Sequence, residues 1–174
     1  MFDEFPALKA HHELLQRWNK TLNLTRIDSI ERNYGESLFL GRHLPPGPLS
    51  ICDIGSGAGF PGFPVAILRP DCQVTLIESH QRKAVFLKEV SRSVPNIRVL
   101  AKRAEDVHES FDWAISRAVS AEDLTPFLTR LAPNVALLAG SEVPRIPGIE
   151  WNEPIPVPGG DARFLLLGVS RETK

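Results

Sequence analysis

The chain has 174 residues, 43% of them hydrophobic and 24% charged, with a formal net charge of -1. That is enough for one full hydrophobic core, and too balanced for a disordered tail or an indiscriminate nucleic-acid binder. No apolar run approaches the ~20 residues of a membrane span, so no membrane association is expected. The acidic start Met1-Phe2-Asp3-Glu4 is wrong for export, and Cys52 and Cys72 form no C-x-x-C pair, so a cytoplasmic protein with two reduced thiols is expected.

Ala7 to Lys20 carries Leu8, Leu14, Leu15 and Trp18 at the spacing of one helix face. Asn23-Leu24-Thr25 breaks that helix, and Asp28 or Ser29 can cap a second running to about Leu40. Pro45-Pro46-Gly47-Pro48 then ends the helical pattern, so residues 1–48 are expected as a helical arm on a core of residues 49–174, the whole forming one globular unit. Arg17, Lys20, Arg26 and Arg32 concentrate basic charge in the arm. The bland reading is a solvated face; the sharper one is recognition of a substrate.

Leu49-Ser50-Ile51-Cys52-Asp53-Ile54 reads as a buried strand, and Gly55-Ser56-Gly57-Ala58-Gly59-Phe60-Pro61-Gly62 as a glycine loop opening a helix. A strand-to-helix turn without Cβ atoms lets a ligand approach the backbone beside free N–H groups. Two cofactor classes compete. Gly57-x-Gly59-x-x-Gly62, with Glu78 roughly 20 residues further on, satisfies the dinucleotide fingerprint. Asp53-x-Gly55-x-Gly57-x-Gly59 is instead the loop of methyltransferases that use S-adenosylmethionine. The second reading is favoured because Phe60-Pro61 would crowd a pyrophosphate and remove a donor. S-adenosylmethionine has no phosphate, and Asp53 is a candidate acid for its ammonium and ribose.

Phe63 to Leu68 continues the first crossover helix, and Val74 to Glu78 is a β-branched second strand. Its terminal Glu78 is placed to accept from both ribose hydroxyls, at the carboxyl end where parallel sheets bind ligands. Gln81 to Ser93 is a helix with Val85, Phe86, Leu87 and Val90 inward, followed by a third strand, Ile97 to Leu100. Lys102 to Asp106 is a polar loop suited to an adenine edge, and Phe111 to Arg117 is a fourth strand. Its end reads Ser116-Arg117-Ala118, with neither the Asn/Asp-Pro-Pro-aromatic run of exocyclic-amine methylation nor the cysteine of pyrimidine-carbon methylation. An acceptor that already carries a lone pair, such as guanine N7, needs only alignment. Ala121 to Arg130 is expected as one helix and Val135 to Ala139 as the fifth strand. Trp151 to Val157 and Arg163 to Val169 are expected as an antiparallel hairpin at the sheet edge. The five histidines show no metal spacing with the cysteines, so no metal is expected.

Trp18-Asn19-Lys20, Asn23-Leu24-Thr25, the loop from Asp53 to Gly62, Arg103-Ala104-Glu105 and Ser116-Arg117-Ala118 occur together. In this set the chain resembles the bacterial 16S rRNA guanine-N7 methyltransferases, the glucose-inhibited division protein B family. The resemblance implies a Rossmann-like α/β methyltransferase fold, a seven-stranded mixed sheet carrying the hairpin and the arm. It implies S-adenosylmethionine as donor and N7 of one guanine in 16S rRNA of the small ribosomal subunit as acceptor; separately, a monomer is expected. Gly55, Phe60, Ala104, Glu105 and Arg117 would line the cofactor site beside Asp53, Gly57, Gly59 and Glu78, with Arg117 orienting the reactants and no general base. Lys20, Arg26 and Arg32 become candidate phosphate contacts. Three positions in two motifs depart from the family's pattern. Asn33 stands where family members often have histidine, with Glu36 for the shorter acid, and Ala139 stands where a lysine is usual. A nicotinamide-dependent oxidoreductase on the same glycines, or an rRNA-binding assembly factor without transferase activity, are the alternatives.

Overall fold

Successive side chains of a strand point to opposite faces, and here both faces are apolar. Ile51 joins one buried cluster while Cys52 and Ile54 join another; Trp113 and Ile115 alternate with Ala114 in the same way. A sheet with two apolar faces must be covered on both, the arrangement of parallel α/β proteins. The computed structural model describes residues 1–25, 30–117, 119–159 and 162–171. Five parallel strands, β1 (Ser50–Ile54), β2 (Gln73–Ile77), β3 (Ile97–Leu100), β4 (Trp113–Arg117) and β5 (Asn134–Ala139), form its centre. Antiparallel to β5 runs β8 (Phe164–Ser170), which also pairs with β6 (Ile149–Trp151) and β7 (Ile155–Pro156). The order β3-β2-β1-β4-β5-β8-β6 reverses direction between β1 and β4, the topological switch point of such sheets.

One face packs against α1 (Pro6–Asn19), α2 (Ile30–His43), α3 (Gly62–Leu68) and α4 (Gln81–Ser91). The other carries a 3-10 turn at Ala104–Asp106 with α5 (Ala121–Leu124) and α6 (Leu128–Leu131). Leu8, Leu15, Tyr34 and Leu40 of the arm share one apolar cluster with Ile51, Phe63, Leu76 and Phe86, so the arm is a wall of the core rather than an appendage. The turn after α1 is tied by Asn19, whose Oδ1 accepts from the amides of Leu24 (2.8 Å) and Thr25 (3.1 Å) while its Nδ2 donates to the Thr25 carbonyl (2.8 Å).

Three details differ from the sequence expectations. The helix expected over Ala121 to Arg130 is broken into α5 and α6, because Pro126 has no N–H to continue it. The strand expected over Trp151 to Val157 is two short strands separated by Asn152-Glu153-Pro154, which makes eight strands among the described residues rather than seven. Val85, expected inward, is 54% exposed. The buried stripe of α4 runs through Ala84, Leu87 and Ser91, at intervals of three and four, and Val85 lies off it.

Candidate functional site

Strand register builds the site. Ile54 at the end of β1 pairs with Ile77 of β2 on one side and Ser116 of β4 on the other. The next residue of each strand therefore brings Gly55, Glu78 and Arg117 into one row across the switch point. The glycine loop is laced to β2: the Gly55 and Ser56 amides donate to the Ile77 carbonyl at 2.9 and 3.1 Å. Glycine is required at Gly55, with φ +69°, and at Gly59, with φ +103°, where a Cβ would lie 3.1 Å from His11 Nε2.

The two acids of the row's neighbourhood differ in role from each other. Asp53 has no exposed surface; its Oδ2 accepts from the Gly62 amide at 2.9 Å, and Oδ1 has no hydrogen-bond partner among the described residues. Burial pushes its carboxyl up to about 7, against the lowering effect of that amide. The direct ammonium contact expected of Asp53 has no open surface to use, and its visible work is to hold the start of α3. Gly62 is fixed by the same contact, since a Cβ there would lie 2.6 Å from Asp53 Oδ2 and against Leu76. Glu78 accepts from the Gly57 amide through Oε1 (2.9 Å) and from the His80 amide through Oε2 (3.0 Å). It thus holds the loop's outer turn and is itself largely buried there, 7% exposed.

Phe60 is buried edge-on to Tyr34, with ring centroids 4.9 Å apart, and the Arg117 guanidinium lies 6.0 Å from its ring centroid. Across the crevice Ala104 is buried and Glu105 exposed, in a turn braced by Arg130, which donates to the carbonyls of Val107 and Glu105. Gly55, Ile77, Ala104, Glu105 and Val119 line one continuous cleft. A second cleft of about 230 Å³ opens beyond β4 and β5, with Ser116, Arg117, Ala139 and Arg163 in its wall. Ser116 Oγ donates to the Ile54 carbonyl at 3.1 Å and is committed to the backbone. Burial pulls the Arg117 guanidinium's pKa down, while the Glu36 charge opposes that shift, and Arg117 Nη1 is buried without a partner among the described residues.

Among the basic candidates, Lys20 is exposed at the end of α1, and Arg32 is exposed on α2 with its charge felt at Arg117. Arg26 lies outside the described residues, as do Ala118 and the cap candidates Asp28 and Ser29. Asn33 is buried, its Nδ2 reaching Thr25 Oγ1 at 3.4 Å, whereas Ala139 lines the second cleft.

Sequence reasoning gave no site role to His11 or Arg163, and noted Glu36 only as a departure from the family's pattern. His11 is fully buried between Tyr34 and the Ala58 carbonyl; its signal was its place between Leu8 and Leu15, on the helix's apolar stripe. Glu36 is 3% exposed and pairs with Arg163 from the start of β8, an ion pair with no local sequence signal because 127 positions separate the partners.

A glycine loop at the switch point, an acid on the neighbouring strand end and an antiparallel strand inserted beside β5 define the Rossmann-like methyltransferase class. Solved structures agree on the fold. An S-adenosylmethionine-dependent methyltransferase from Aquifex aeolicus superposes with a TM-score of 0.65 at 17% identity, covering 85% of this chain and 95% of that one. TrmN from Thermus thermophilus superposes at 0.63 and 18% identity, covering 78% of this chain and 48% of that one. The family model for rRNA small subunit methyltransferase G (GidB) matches residues 4–139, and the chain belongs to that family. Relatives named ribosomal RNA small subunit methyltransferase G include one from Chromobacterium violaceum, 38% identical over 92% of this chain and 85% of that protein. Another, from Nitrosomonas europaea, is 44% identical over 65% of this chain. The matched segment spans 56% of that relative's length.

Proposed function

We propose that the chain transfers a methyl group from S-adenosylmethionine to N7 of a guanine in 16S rRNA. The observation that carries this reading is the row of Gly55, Glu78 and Arg117 across three adjacent strand ends, with one cleft on each side of it. The residues fit the donor. Gly55 leaves open a cradle that a Cβ would fill, 3.1 Å from Val119 Cγ2, and the cleft beyond it is bounded by the Ala104–Glu105 turn. Gly55, Gly57 and Gly59 would hold its backbone-facing side, Glu78 its ribose, and Ala104 and Glu105 its base. When bound, S-adenosylmethionine supplies an electrophilic methyl that a nitrogen lone pair displaces from sulfur without any proton leaving the base.

The chain's own contribution is then alignment and exclusion of water, worth several kcal/mol and up to about 7–11 in favourable cases. The wall of the second cleft suits that division of labour. Its described lining includes no cysteine, histidine or lysine, its serine hydroxyl is spent on the backbone, and its carboxylate, Glu142, is exposed to solvent. Arg117 holds charge in the wall of the second cleft, next to which Val119 lines both clefts, and donor and acceptor would meet there. The target guanine must be unstacked to enter, as in other enzymes that act on a base. The small ribosomal subunit or its RNA is the partner, the protein works as a monomer in the cytoplasm, and Lys20, Arg26 and Arg32 contact phosphates.

A thermal-shift comparison tests the donor. S-adenosylhomocysteine raises the melting temperature in a concentration-dependent way, as any ligand of the native state must, and a nicotinamide dinucleotide does not. The reverse result would return the loop to the dinucleotide class.

A further inference from the structure

The second cleft contains a feature that methyl transfer by alignment does not use. Arg163 enters it from the strand antiparallel to β5, where the register sets Ala139 opposite Phe164. Ala139 and Gly140 leave the β5 side of the opening without a long side chain, and Arg163 lines it together with Arg117 and Glu142. Its stem side is fixed by Glu36: Nε lies 3.0 Å from Oε1, and Nη2 donates to Oε2 at 3.2 Å. Only the Nη2 contact has hydrogen-bond geometry, Nε being close to the carboxylate without donating to it, so Glu36, 4% exposed, anchors the Arg163 side chain, 30% exposed, by one hydrogen bond within an ion pair. Nη1 has no hydrogen-bond partner among the described residues. Arg117 shares the cleft and also carries a buried, unpartnered Nη1. Glu36 acts on both guanidiniums and Glu142 also lines the cleft, so what the two arginines bring to this end of it is unused donors rather than a net charge.

Such a site takes an acceptor oxygen. We propose that the cleft beyond β4 and β5 is the acceptor-base pocket, and that Arg163, anchored by Glu36, selects guanine by donating to its O6. The proposal rests on the guanine-N7 reading. N7 has to stay free for the methyl, so the usual two-point arginine contact to O6 and N7 is unavailable. A donor on O6 alone leaves N7 free for the methyl. Adenine presents an N6 donor in that place and meets a guanidinium with nothing to accept, so a site built this way rejects it. Glu36 acts through Arg163 and is a positioning residue.

The test is transfer of labelled methyl to small ribosomal subunits lacking the modification, by wild type, Arg163→Met and Arg163→Lys. The Kd for S-adenosylhomocysteine and the salt dependence of kcat/KM are measured alongside. Arg163→Met keeps the stem and loses the donor, and kcat/KM falls at least 30-fold with the homocysteine Kd within twofold of wild type. Arg163→Lys keeps the charge but loses the fork, and falls about tenfold. The slope of log kcat/KM against log salt is unchanged in both, because no phosphate contact is removed. Should Arg163→Met not fold, Arg163→Lys decides on the same readouts. Transfer within threefold of wild type in the variant that decides, or loss of transfer that tracks loss of homocysteine binding, overturns the proposal. A slope reduced by about one assigns Arg163 to a phosphate and overturns it too. Wild-type protein that binds the homocysteine yet makes no N7-methylguanine sinks the guanine reading instead, before Arg163 is at issue.

Discussion

His11 Nε2 lies 2.8 Å from the Ala58 carbonyl, joining the first helix of the arm to the middle of the glycine loop. A carbonyl only accepts, so Nε2 carries the proton and Nδ1 accepts from the Tyr34 hydroxyl. The imidazole also stacks on Phe63, with ring centroids 4.5 Å apart. One buried side chain thus ties α1, α2 and the cofactor loop together.

His11→Phe keeps an aromatic ring on Phe63 and strands both hydrogen-bond partners. Each buried unpaired polar group costs about 1–3 kcal/mol, so unfolding free energy falls by roughly 2–4 kcal/mol in a denaturant titration. If the bond shapes the loop, affinity for S-adenosylhomocysteine also drops severalfold. Lower stability with unchanged affinity would make His11 a core residue and nothing more.

Stability responds to pH through two buried groups of opposite sign. Burial holds His11 down at about 4, below its ordinary 6.5, so its contribution is present above pH 6.5 and is lost as pH falls toward 4. Burial raises Asp53 from 3.8 to about 7, so its contribution is present below pH 3.8 and is lost as pH rises through 7. Each amounts to at most on the order of 3–4 kcal/mol. Between pH 4 and 6.5 they offset each other, and above 6.5 the Asp53 loss stands alone. Melting curves of Asp53→Asn from pH 5 to 8 should lose the decline above pH 6.5 that wild type shows; an identical decline would mean Asp53 is ionised throughout.

Gly62→Ala adds a methyl group where Asp53 Oδ2 would be 2.6 Å away and Leu76 closer still. Both neighbours are in the core, so the strain has no easy outlet, and about 1–3 kcal/mol of stability is lost. Gly35→Ala, with nothing within 4 Å of the added carbon, is the control and should be neutral or slightly stabilising.

Lys20→Gln with Arg32→Gln tests the arm as an RNA surface. If both contact phosphates, affinity for the small subunit falls and its log–log salt slope flattens by roughly one per contact. An unchanged slope would return both residues to the solvated face.

The parallel core was legible because its strands are short apolar runs ending in glycine, acid or arginine, and a strand fully buried on both faces leaves that mark in sequence. Gly55, Glu78 and Arg117 were legible for the same reason: each is the residue next after a readable strand. Local exceptions came from single residues, Pro126 dividing a helix and Pro154 a strand. Asp53 was read as a ligand contact, but its depth beneath the loop is set by the packing of α3, which no local pattern encodes. The joints that close the site were the least visible. His11 meets Ala58 across 47 positions and Glu36 meets Arg163 across 127, and such pairings exist only once the chain has folded.

The most direct test of the central claim is transfer of labelled methyl from S-adenosylmethionine to small ribosomal subunits lacking N7 methylation, with the modified nucleoside then identified. The account predicts label on N7 of a single guanine in 16S rRNA. Label on another atom or base, or none from a protein that binds S-adenosylhomocysteine, would contradict it.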